Sequence, residues 1–340
     1  MKQSMMVEPR KIKFNKVDKP VVNDDEVLME TKRIGICGSD IHVFHGLHPY
    51  TSYPIVQGHE VSGVVREIGK NVTGVSVGDQ ITFTPQVTCG TCFPCKNGMY
   101  HICENLKVMG FQTNGAGQEF FTLPEWNVVK LPDNMPLDYG AFIEPVAVAV
   151  HALERGGNIE DKKVLVLGAG TIGNLVAQSA KALGAKSVMI TDIQEYKLEI
   201  ADSCGIDFPV NSSVLDINKA IEDSFGINKA DIILECVGVQ TTITQAINVA
   251  RKGTTIVVVG VFGENPIVDL GLVQDRELNI IGSLMYQKAD FEKAVELVAS
   301  KKINLEHLIT HRFHFNQYME AYQTIDESQG KFIKVMIELD

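Results

Sequence analysis

The sequence predicts an α/β plus β protein, in which a β domain precedes a domain with a doubly wound parallel sheet. Three observations predict this class. Before about residue 145, glycine and proline separate short β-branched runs such as 61–68 and 75–83, and no long helical period is present. After about residue 146, apolar strands alternate with helical segments. A G-x-G-x-x-G motif stands at the first strand-to-helix junction of that second part.

At 340 residues the chain is too long for one ordinary core, so two domains are expected. We predict a first domain at 1–146, a second domain at 147–285 and a C-terminal segment at 286–340. Because that segment is short for a separate domain, we expect it to pack on the first domain. It has predicted helices at 291–300 and 315–325 and a strand at 331–339.

The second domain has the regular alternation of a parallel sheet. Apolar strands are predicted at 164–167, 187–191, 231–236 and 254–259. Helices are predicted at 171–183, 195–203 and 241–250, and Gly205 follows the end of the second. Strands that alternate with helices in this way form a parallel sheet covered on both faces.

Composition excludes several classes of function. With 45% hydrophobic and 21% charged residues, the chain is typical of a globular protein rather than a disordered one. Its net charge of -11 would repel a phosphate backbone, so nucleic acid is not an expected partner. No apolar run approaches the ~18 residues of a membrane helix, and residues 1–14 contain no signal-peptide core. We therefore expect a cytoplasmic protein that acts on a small molecule.

Four cysteines form a C-x2-C-x2-C-x7-C loop: Cys89, Cys92, Cys95 and Cys103. Four thiolates fill the tetrahedral shell that Zn²⁺ prefers and leave no position for a substrate, so the site is predicted to be structural. The alternative is a pair of disulfides. Nothing in the sequence suggests secretion, and cytosolic thiols stay reduced, so the pattern favours zinc.

The glycine-rich motif at 168–173, Gly-Ala-Gly-Thr-Ile-Gly, predicts a dinucleotide site because it follows a strand and opens a helix. Gly168 permits the tight turn, Gly170 allows close approach of a pyrophosphate, and Gly173 allows the helix to pack against the strand. Thr171 and Ile172 begin the helix, whose free N–H groups and partial positive charge attract phosphate.

Asp192 ends the next strand, 19 residues after Gly173. A carboxylate there accepts hydrogen bonds from the ribose hydroxyls of NAD and would repel the 2′-phosphate of NADP. Residues 193–195 supply no arginine, so NAD is favoured. The alternative is an Asp192 that caps the following helix without a ligand. Three valines near the later strands are assigned to the same site: Val237, Val259 and Val261.

A second metal site is predicted from three motifs: Cys37 at 35–42, His59 and Glu60 at 58–60, and Glu144 at 143–145. A thiolate, an imidazole and a carboxylate make an open zinc site whose fourth position takes water or substrate. Alternatively, His59 is a core histidine and Glu144 a helix cap. The third ligand stays open, because adjacent side chains such as His59 and Glu60 normally diverge.

Taken together and in this order, these motifs resemble those of the medium-chain zinc-dependent alcohol dehydrogenase family. The similarity spans most of the chain and is strongest to the polyol (sorbitol dehydrogenase-like) or L-galactonate dehydrogenase-like branch. It implies a GroES-like β domain with catalytic and structural zinc, a Rossmann NAD-binding domain, and a homodimer or homotetramer. It implies two Zn²⁺ per chain and NAD as cofactors.

The resemblance also implies residue roles. Cys37 and His59 would bind the catalytic zinc together with Glu60, Glu144 or both in alternation. Ser39 would contact the substrate hydroxyl, and His42 would pass its proton to solvent.

The expected reaction is NAD-dependent oxidation of a secondary alcohol of a polyol or sugar acid. Sorbitol dehydrogenase-like members have an arginine where Met285 stands, which counts against sorbitol itself. One alternative is a threonine or 2,3-butanediol dehydrogenase with the same metal and cofactor. An alternative of another class is an NAD-binding regulatory protein without turnover.

Overall fold

The structure, a computed structural model, describes all 340 residues and divides into two compact units. Unit 1 comprises Met1–Glu144, Gln287–Val295 and Ile309–Asp340, and unit 2 comprises Pro145–Tyr286 and Glu296–Leu308. The C-terminal segment is therefore shared, whereas the sequence assigned all of it to the first domain.

The second part of unit 2 is held by a pair of hydrogen bonds. The amide of Gln178 donates to the Asn304 carbonyl at 3.1 Å, and the Asn304 N–H donates to Gln178 Oε1 at 2.6 Å. The Gln178 side chain thus bonds to both backbone groups of Asn304 and holds residues 296–308 against the rest of unit 2.

Nine strands and four helices form the first part of the chain. The strands are β1 Lys2–Glu8, β2 Lys11–Lys16, β3 Glu26–Ile36, β4 Glu60–Ile68, β5 Gln80–Phe83, β6 Gln86–Val87, β7 Lys107–Val108, β8 Phe120–Pro124 and β9 Val128–Lys130. The helices are α1 Gly38–Phe44, α2 Phe93–Lys96, α3 Leu137–Ala141 and α4 Ile143–Gly156.

The remaining elements follow in chain order. The strands are β10 Lys163–Leu167, β11 Ser187–Asp192, β12 Phe208–Asn211, β13 Ile232–Glu235, β14 Thr255–Val258, β15 Asn279–Gly282, β16 Ile309–His314 and β17 Lys334–Glu338. The helices are α5 Thr171–Ala182, α6 Glu195–Ser203, α7 Ile217–Phe225, α8 Gln240–Val249, α9 Leu270–Asp275, α10 Lys288–Ala299 and α11 Tyr318–Glu327. No helix combines the length and the apolar character that crossing a membrane requires.

A seven-stranded sheet organises unit 1, in the order β16-β17-β3-β4-β5-β9 with β8 also paired to β3. The long strand β3 is central and pairs antiparallel with β4, β8 and β17. The pairing of Val335 with Ile36 brings the C-terminal strand next to the residue that precedes Cys37. The last strand of the chain is thus a structural neighbour of the predicted metal-binding turn.

A six-stranded parallel sheet organises unit 2, in the order β12-β11-β10-β13-β14-β15. The central strands β10 and β13 are fully buried apart from Lys163, as expected for strands with helices on both faces. The strand order reverses beside β10, and ligands of such sheets bind at the carboxyl ends of the strands at that point. The loop after β10 is the predicted glycine-rich motif.

The α/β plus β class is confirmed, and the predicted strands and helices of the second domain are present within two residues of their expected ends. The prediction of a strand over 75–83 is confirmed only for its second half. Its first half is a turn in which Gly78 has φ +98° and the Asp79 N–H donates to the Ser76 carbonyl, so the strand starts at Gln80.

Five elements that lie wholly or mostly in unit 2 escaped the sequence prediction: α4, β12, α7, α9 and β15. Helix α7 had a readable signal, because Asp216 caps it and Ile217, Ile221 and Phe225 are buried at a spacing of four. Strand β12 contains Pro209, which argues against a strand except at an edge. Strand β15 is the opposite edge and is mostly exposed, so it lacks the apolar run of a buried strand.

Candidate functional site

The turn between β3 and α1 places Cys37 at the N-cap of α1. The Cys37 N–H donates to Asp40 Oδ2 at 2.9 Å, which closes a capping box around the first turn. Ser39 and His42 lie on this same short helix, three residues apart. The cap thus fixes the direction of the thiol relative to both predicted relay residues.

Glycine explains how two adjacent side chains reach one place. Gly58 has φ +103°, a conformation that other residues rarely adopt, and it turns the chain immediately before His59. Glu60 begins β4 opposite Gly35 of β3. A Cβ at Gly35 would lie 2.3 Å from Glu60 Oε2, so only glycine leaves room for the carboxylate there.

The bend brings Cys37, His59 and Glu60 together, with one ligand atom of each within 4.8 Å of the others. His59 Nδ1 and Glu60 Oε1 are buried and have no hydrogen-bond partner. Buried polar atoms are normally paired, so the orphaned carboxylate oxygen fits a cluster built to hold a cation. Glu144 is also buried, in the first turn of α4, but it does not belong to this three-residue group.

Lys334 from β17 supplies the compensating charge. Its Nζ lies 2.5 Å from Glu60 Oε2 and donates to the Ile36 carbonyl at 3.2 Å, and both charged side chains are at least 97% buried. Burial lowers the pKa of Lys334, but Glu60 and Cys37 outweigh burial and raise it, with a smaller effect of Glu144. The ammonium therefore stays charged and neutralises one oxygen of the carboxylate.

Asp40 lies on the other side of the imidazole, with its Oδ1 3.6 Å from His59 Nδ1. Burial lowers the pKa of His59, but the Asp40 carboxylate, with the Cys37 thiol, raises it well above the ordinary value. The pocket thus favours a positive charge at the imidazole. Because only the neutral ring binds a metal, a metal ion would replace that proton and would take its place in the same field.

A second histidine, His48, lies near this cluster. Its ring stacks on Phe111 at 4.9 Å, and Phe111 lies 4.8 Å from the His59 ring. Burial lowers the pKa of His48; Asp40 raises it, and His42 and His59 lower it further. The predicted relay residues Ser39 and His42 share no hydrogen bond, and His42 is exposed to solvent.

Phe111 also lines a cavity of about 430 Å³. It is lined largely by hydroxyl and amide side chains from two loops, among them Tyr50, Ser52, Gln112, Thr113 and Asn114.

The four-cysteine loop brings all four sulfurs within 4.8 Å of one another, and none of them is in a disulfide. Cys103 Sγ lies 3.5 Å from Cys89 Sγ and 3.8 Å from Cys92 Sγ. Sulfurs bound at 2.3 Å to a tetrahedral ion are roughly 3.8 Å apart, so the geometry fits Zn²⁺. Hydrogen bonds from Thr91 and from the Cys92 N–H lower the pKa of Cys89 to about 5, which favours the thiolate.

The glycine-rich loop has the shape that its three glycines predict. Gly168 has φ +99°, and a Cβ there would meet Val237 at 2.5 Å. A Cβ at Gly173 would lie 1.8 Å from the Gly168 carbonyl oxygen. By contrast, nothing lies within 4 Å of a Cβ built on Gly170, which caps α5. The loop therefore offers open space at the one glycine expected to face a pyrophosphate.

Asp192 lies beside this loop. Its Oδ2 accepts from the Ala169 N–H and its Oδ1 from the Gln194 N–H, both at 2.9 Å. Val237 and Val261 are exposed, and Val259 is partly buried after β14. Because backbone groups hold the Asp192 carboxylate against the glycine loop, it is placed to accept from a ribose bound there.

Several residues of these sites were missed at the sequence level. Asp40 carried a signal, since an acid three residues after a cap residue is typical of a capping box. Glu235 ends β13 and accepts from the Val237 and Gly238 N–H groups at 2.9 Å, which shapes the loop beside Gly168. Lys334 has no local signal, because its partner Glu60 is 274 residues away.

Comparison with known proteins adds family information. Residues 23–133 match the protein family described as "Alcohol dehydrogenase GroES-like domain", and residues 171–300 match the family described as "Zinc-binding dehydrogenase". The chain is 37% identical over 286 residues to 2-dehydro-3-deoxy-L-galactonate 5-dehydrogenase of Pseudoalteromonas atlantica, covering 84% of this chain and 83% of the relative. It is 33% identical over 330 residues to L-idonate 5-dehydrogenase of Vitis vinifera, covering 94% and 90%.

A solved structure matches over the whole chain. Galactitol-1-phosphate dehydrogenase from Escherichia coli has a TM-score of 0.93 and 32% sequence identity, with 100% of each chain covered. The predictions of a GroES-like first domain and a Rossmann-type second domain are thereby confirmed.

The second and third glycines of the loop, Gly170 and Gly173, test its two functions separately. Gly173→Ala is expected to destabilise the protein by about 1–3 kcal/mol or more, because its Cβ would overlap a backbone oxygen. Gly170→Ala is expected to leave the urea midpoint unchanged and to weaken dinucleotide binding about tenfold or more, measured by calorimetry. Equal losses of stability in both variants would contradict this assignment.

Replacing Lys334 tests the buried ion pair. Lys334→Met is expected to lower the free energy of unfolding of the zinc-free protein by about 3–5 kcal/mol, because Glu60 is left charged and unpaired in the interior. Lys331→Met, three residues earlier and exposed, is the control and should change it by less than about 0.5 kcal/mol. Urea titrations of the two variants measure the difference, and similar curves would contradict the role of the pair.

Proposed function

Because the chain belongs to the medium-chain zinc-dependent alcohol dehydrogenase family, we propose that it transfers a hydride between a secondary alcohol of a polyol or sugar acid and NAD. The observation that carries the proposal is the buried group of Cys37, His59 and Glu60, whose sulfur, nitrogen and oxygen donors suit an open zinc site. A structural protein or an NAD sensor has no need of such a group.

We assign the zinc ligands from this geometry. Cys37, His59 and Glu60 would hold the catalytic ion, and the unpartnered Glu60 Oε1 would be the third donor. Glu144 is the weaker candidate, because it lies outside the group. Bound zinc supplies Lewis acidity that lowers the pKa of an alcohol, and NAD⁺ accepts the hydride. The four cysteines of the 89–103 loop hold a second, structural zinc.

The proton of the alcohol leaves through α1. Ser39 accepts it from the substrate hydroxyl, and the exposed His42 passes it to solvent. In total the alcohol loses a hydride to NAD⁺ and a proton to water, and forms a ketone. His48, which lies in the field of both His42 and His59, is a further group near this path.

The preference for NAD over NADP rests on Asp192. Its carboxylate lies at the glycine-rich loop, where it can accept from both ribose hydroxyls and would repel a 2′-phosphate. The helix that follows begins with Glu195, which adds no positive charge. Both features support NAD.

A hydroxyl-rich substrate is supported by the relatives and by the cavity. The names of the matched relatives specify dehydrogenation of two sugar acids and one polyol phosphate. The cavity lined by Phe111 offers the hydroxyls of Ser52 and Thr113 to such a chain, and Thr113 Oγ1 is buried without a hydrogen-bond partner. Threonine and 2,3-butanediol are the competing substrates.

The exposed edge of the parallel sheet supports a homo-oligomer. Strand β15 leaves one row of backbone groups unpaired, and Ile280 and Leu284 nearby are exposed. Uncovered edges invite pairing, and Pro209 protects only the other edge. We assign β15 as the strand that meets its counterpart in a second copy. Seven free cysteines support a reducing, cytoplasmic compartment.

The metal assignment is tested by Cys37→Ser. Zinc content is expected to fall from two ions per chain to one, and NADH production to fall more than about 100-fold, since the lost Lewis acid is worth several kcal/mol. Activity is measured on a panel of substrates that comprises sugar acids, polyols, polyol phosphates, threonine and 2,3-butanediol. Each substrate is tested with NAD⁺ and with NADP⁺. Cys204→Ser is the control and should keep both ions. Full turnover in Cys37→Ser would rule the proposal out.

The interface assignment is tested by Ile280→Lys. A charge on β15 is expected to reduce the mass measured by light scattering to that of a smaller assembly, because pairing would bury it. Ile227→Lys is the control, because Ile227 lies in a turn of unit 2 and is 92% exposed. This variant should keep the wild-type mass. An unchanged mass for Ile280→Lys would show that β15 is not the interface.

A further inference from the structure

A line of buried polar side chains runs from the C-terminal helix α11 to the candidate metal ligand. The Tyr322 hydroxyl donates to Gln57 Oε1 at 2.7 Å, and Gln57 Nε2 donates to Asp40 Oδ1 at 3.0 Å. The same Asp40 oxygen lies 3.6 Å from His59 Nδ1. All four residues are more than nine-tenths buried.

The direction of each hydrogen bond in this line is fixed by Asp40. An ionised carboxylate only accepts, so the NH₂ group of the Gln57 amide must face Asp40 and the amide oxygen then faces Tyr322. Burial raises the pKa of Tyr322, so its hydroxyl stays protonated and donates to that oxygen. Without the hydroxyl, the buried amide oxygen loses its partner and the Gln57 side chain is no longer held in place against Asp40.

Asp40 is the point at which this line meets both candidate ligands. Its Oδ2 accepts from the Cys37 N–H at 2.9 Å, and its Oδ1 accepts from the Gln57 amide at 3.0 Å and lies 3.6 Å from His59 Nδ1. A carboxylate held in this way beside Nδ1 leaves the other ring nitrogen for a metal, and partners of metal-binding histidines set the tautomer and the ring orientation. The position of Asp40 therefore controls the preorganisation of the site.

We propose that Tyr322 and Gln57 are positioning residues, which hold Asp40 against His59 and so raise the affinity of the catalytic site for zinc. This inference rests on the proposed function, since it assigns a role at the same metal site. Tyr322 touches no metal ligand in this scheme and acts through Gln57 alone. The C-terminal helix thus takes part in metal binding without contributing a ligand.

The alternative is that Tyr322 only fills space. Its ring stacks on Phe44 with centroids 4.5 Å apart and planes inclined by 10°, and it also stacks on Tyr318. Tyr322→Phe keeps this packing and removes only the hydroxyl. Tyr318→Phe is a matched control, because Tyr318 is also buried on α11 and has no hydrogen bond to Gln57.

The experiment measures zinc affinity and stability in parallel. Wild type, Tyr322→Phe, Gln57→Met, the double variant and Tyr318→Phe are titrated with zinc in chelator-buffered solution. Cys37→Ser identifies the binding step that belongs to the catalytic site. Urea unfolding of the zinc-free proteins measures stability separately, and Gln57→Met gives the answer if Tyr322→Phe does not fold.

We expect Gln57→Met to weaken this binding step about 10- to 100-fold, the usual effect of removing a partner of a metal ligand. Tyr322→Phe should weaken it by a smaller factor, about 3- to 10-fold. The double variant should match Gln57→Met, since both residues act on one path. Tyr318→Phe should bind zinc like wild type, whatever its stability.

Two results would overturn the inference. In the first, Tyr322→Phe and Gln57→Met bind zinc as tightly as the control Tyr318→Phe. Tyr322 and Gln57 would then have only a structural role. The other is strictly additive losses in the double variant, which would show separate paths. If the zinc titration of Cys37→Ser shows the same binding steps as that of the wild type, the proposed function itself is overturned.

Discussion

The buried ion pair between Lys334 and Glu60 is the constraint on which unit 1 depends. The site collects a thiol, an imidazole and a carboxylate in the interior, and Asp40 adds a second carboxylate. An unpaired buried charge costs several kcal/mol, so a cation must come from somewhere in the chain. It comes from β17, which explains why the C-terminal strand pairs with β3 directly before Cys37.

Glycine at a few positions allows these buried side chains to come close together. Gly35 makes room for the Glu60 carboxylate, and Gly58 turns the chain so that His59 and Glu60 reach the same place. At the dinucleotide site, Gly173 permits close packing while Gly170 leaves open space. In both units these glycines leave room that a Cβ would fill, which is why the motifs can be recognised in the sequence.

The parts of the protein that were predictable are those set by local patterns. The glycine-rich loop, the four-cysteine loop and the buried strands of the parallel sheet depend on spacing within a few residues. The third zinc ligand was not predictable in this way. Convergence of His59 and Glu60 requires a local bend, which the structure has at Gly58, so the sequence left Glu60 and Glu144 open. The partners Lys334 and Tyr322 lie more than 260 residues from Glu60 and Gln57. Edge strands such as β15 failed because exposure removes the apolar run that marks a strand.

The central claim is that the catalytic ion is held by Cys37, His59 and Glu60 rather than by Glu144. Crystals of the zinc-loaded protein, measured at the zinc absorption edge, test it most directly. The account predicts two anomalous peaks per chain, one within the four sulfurs and one bonded to Cys37 Sγ, a His59 ring nitrogen and Glu60 Oε1. A second peak bonded to Glu144 and not to Glu60, or no second peak, would contradict it.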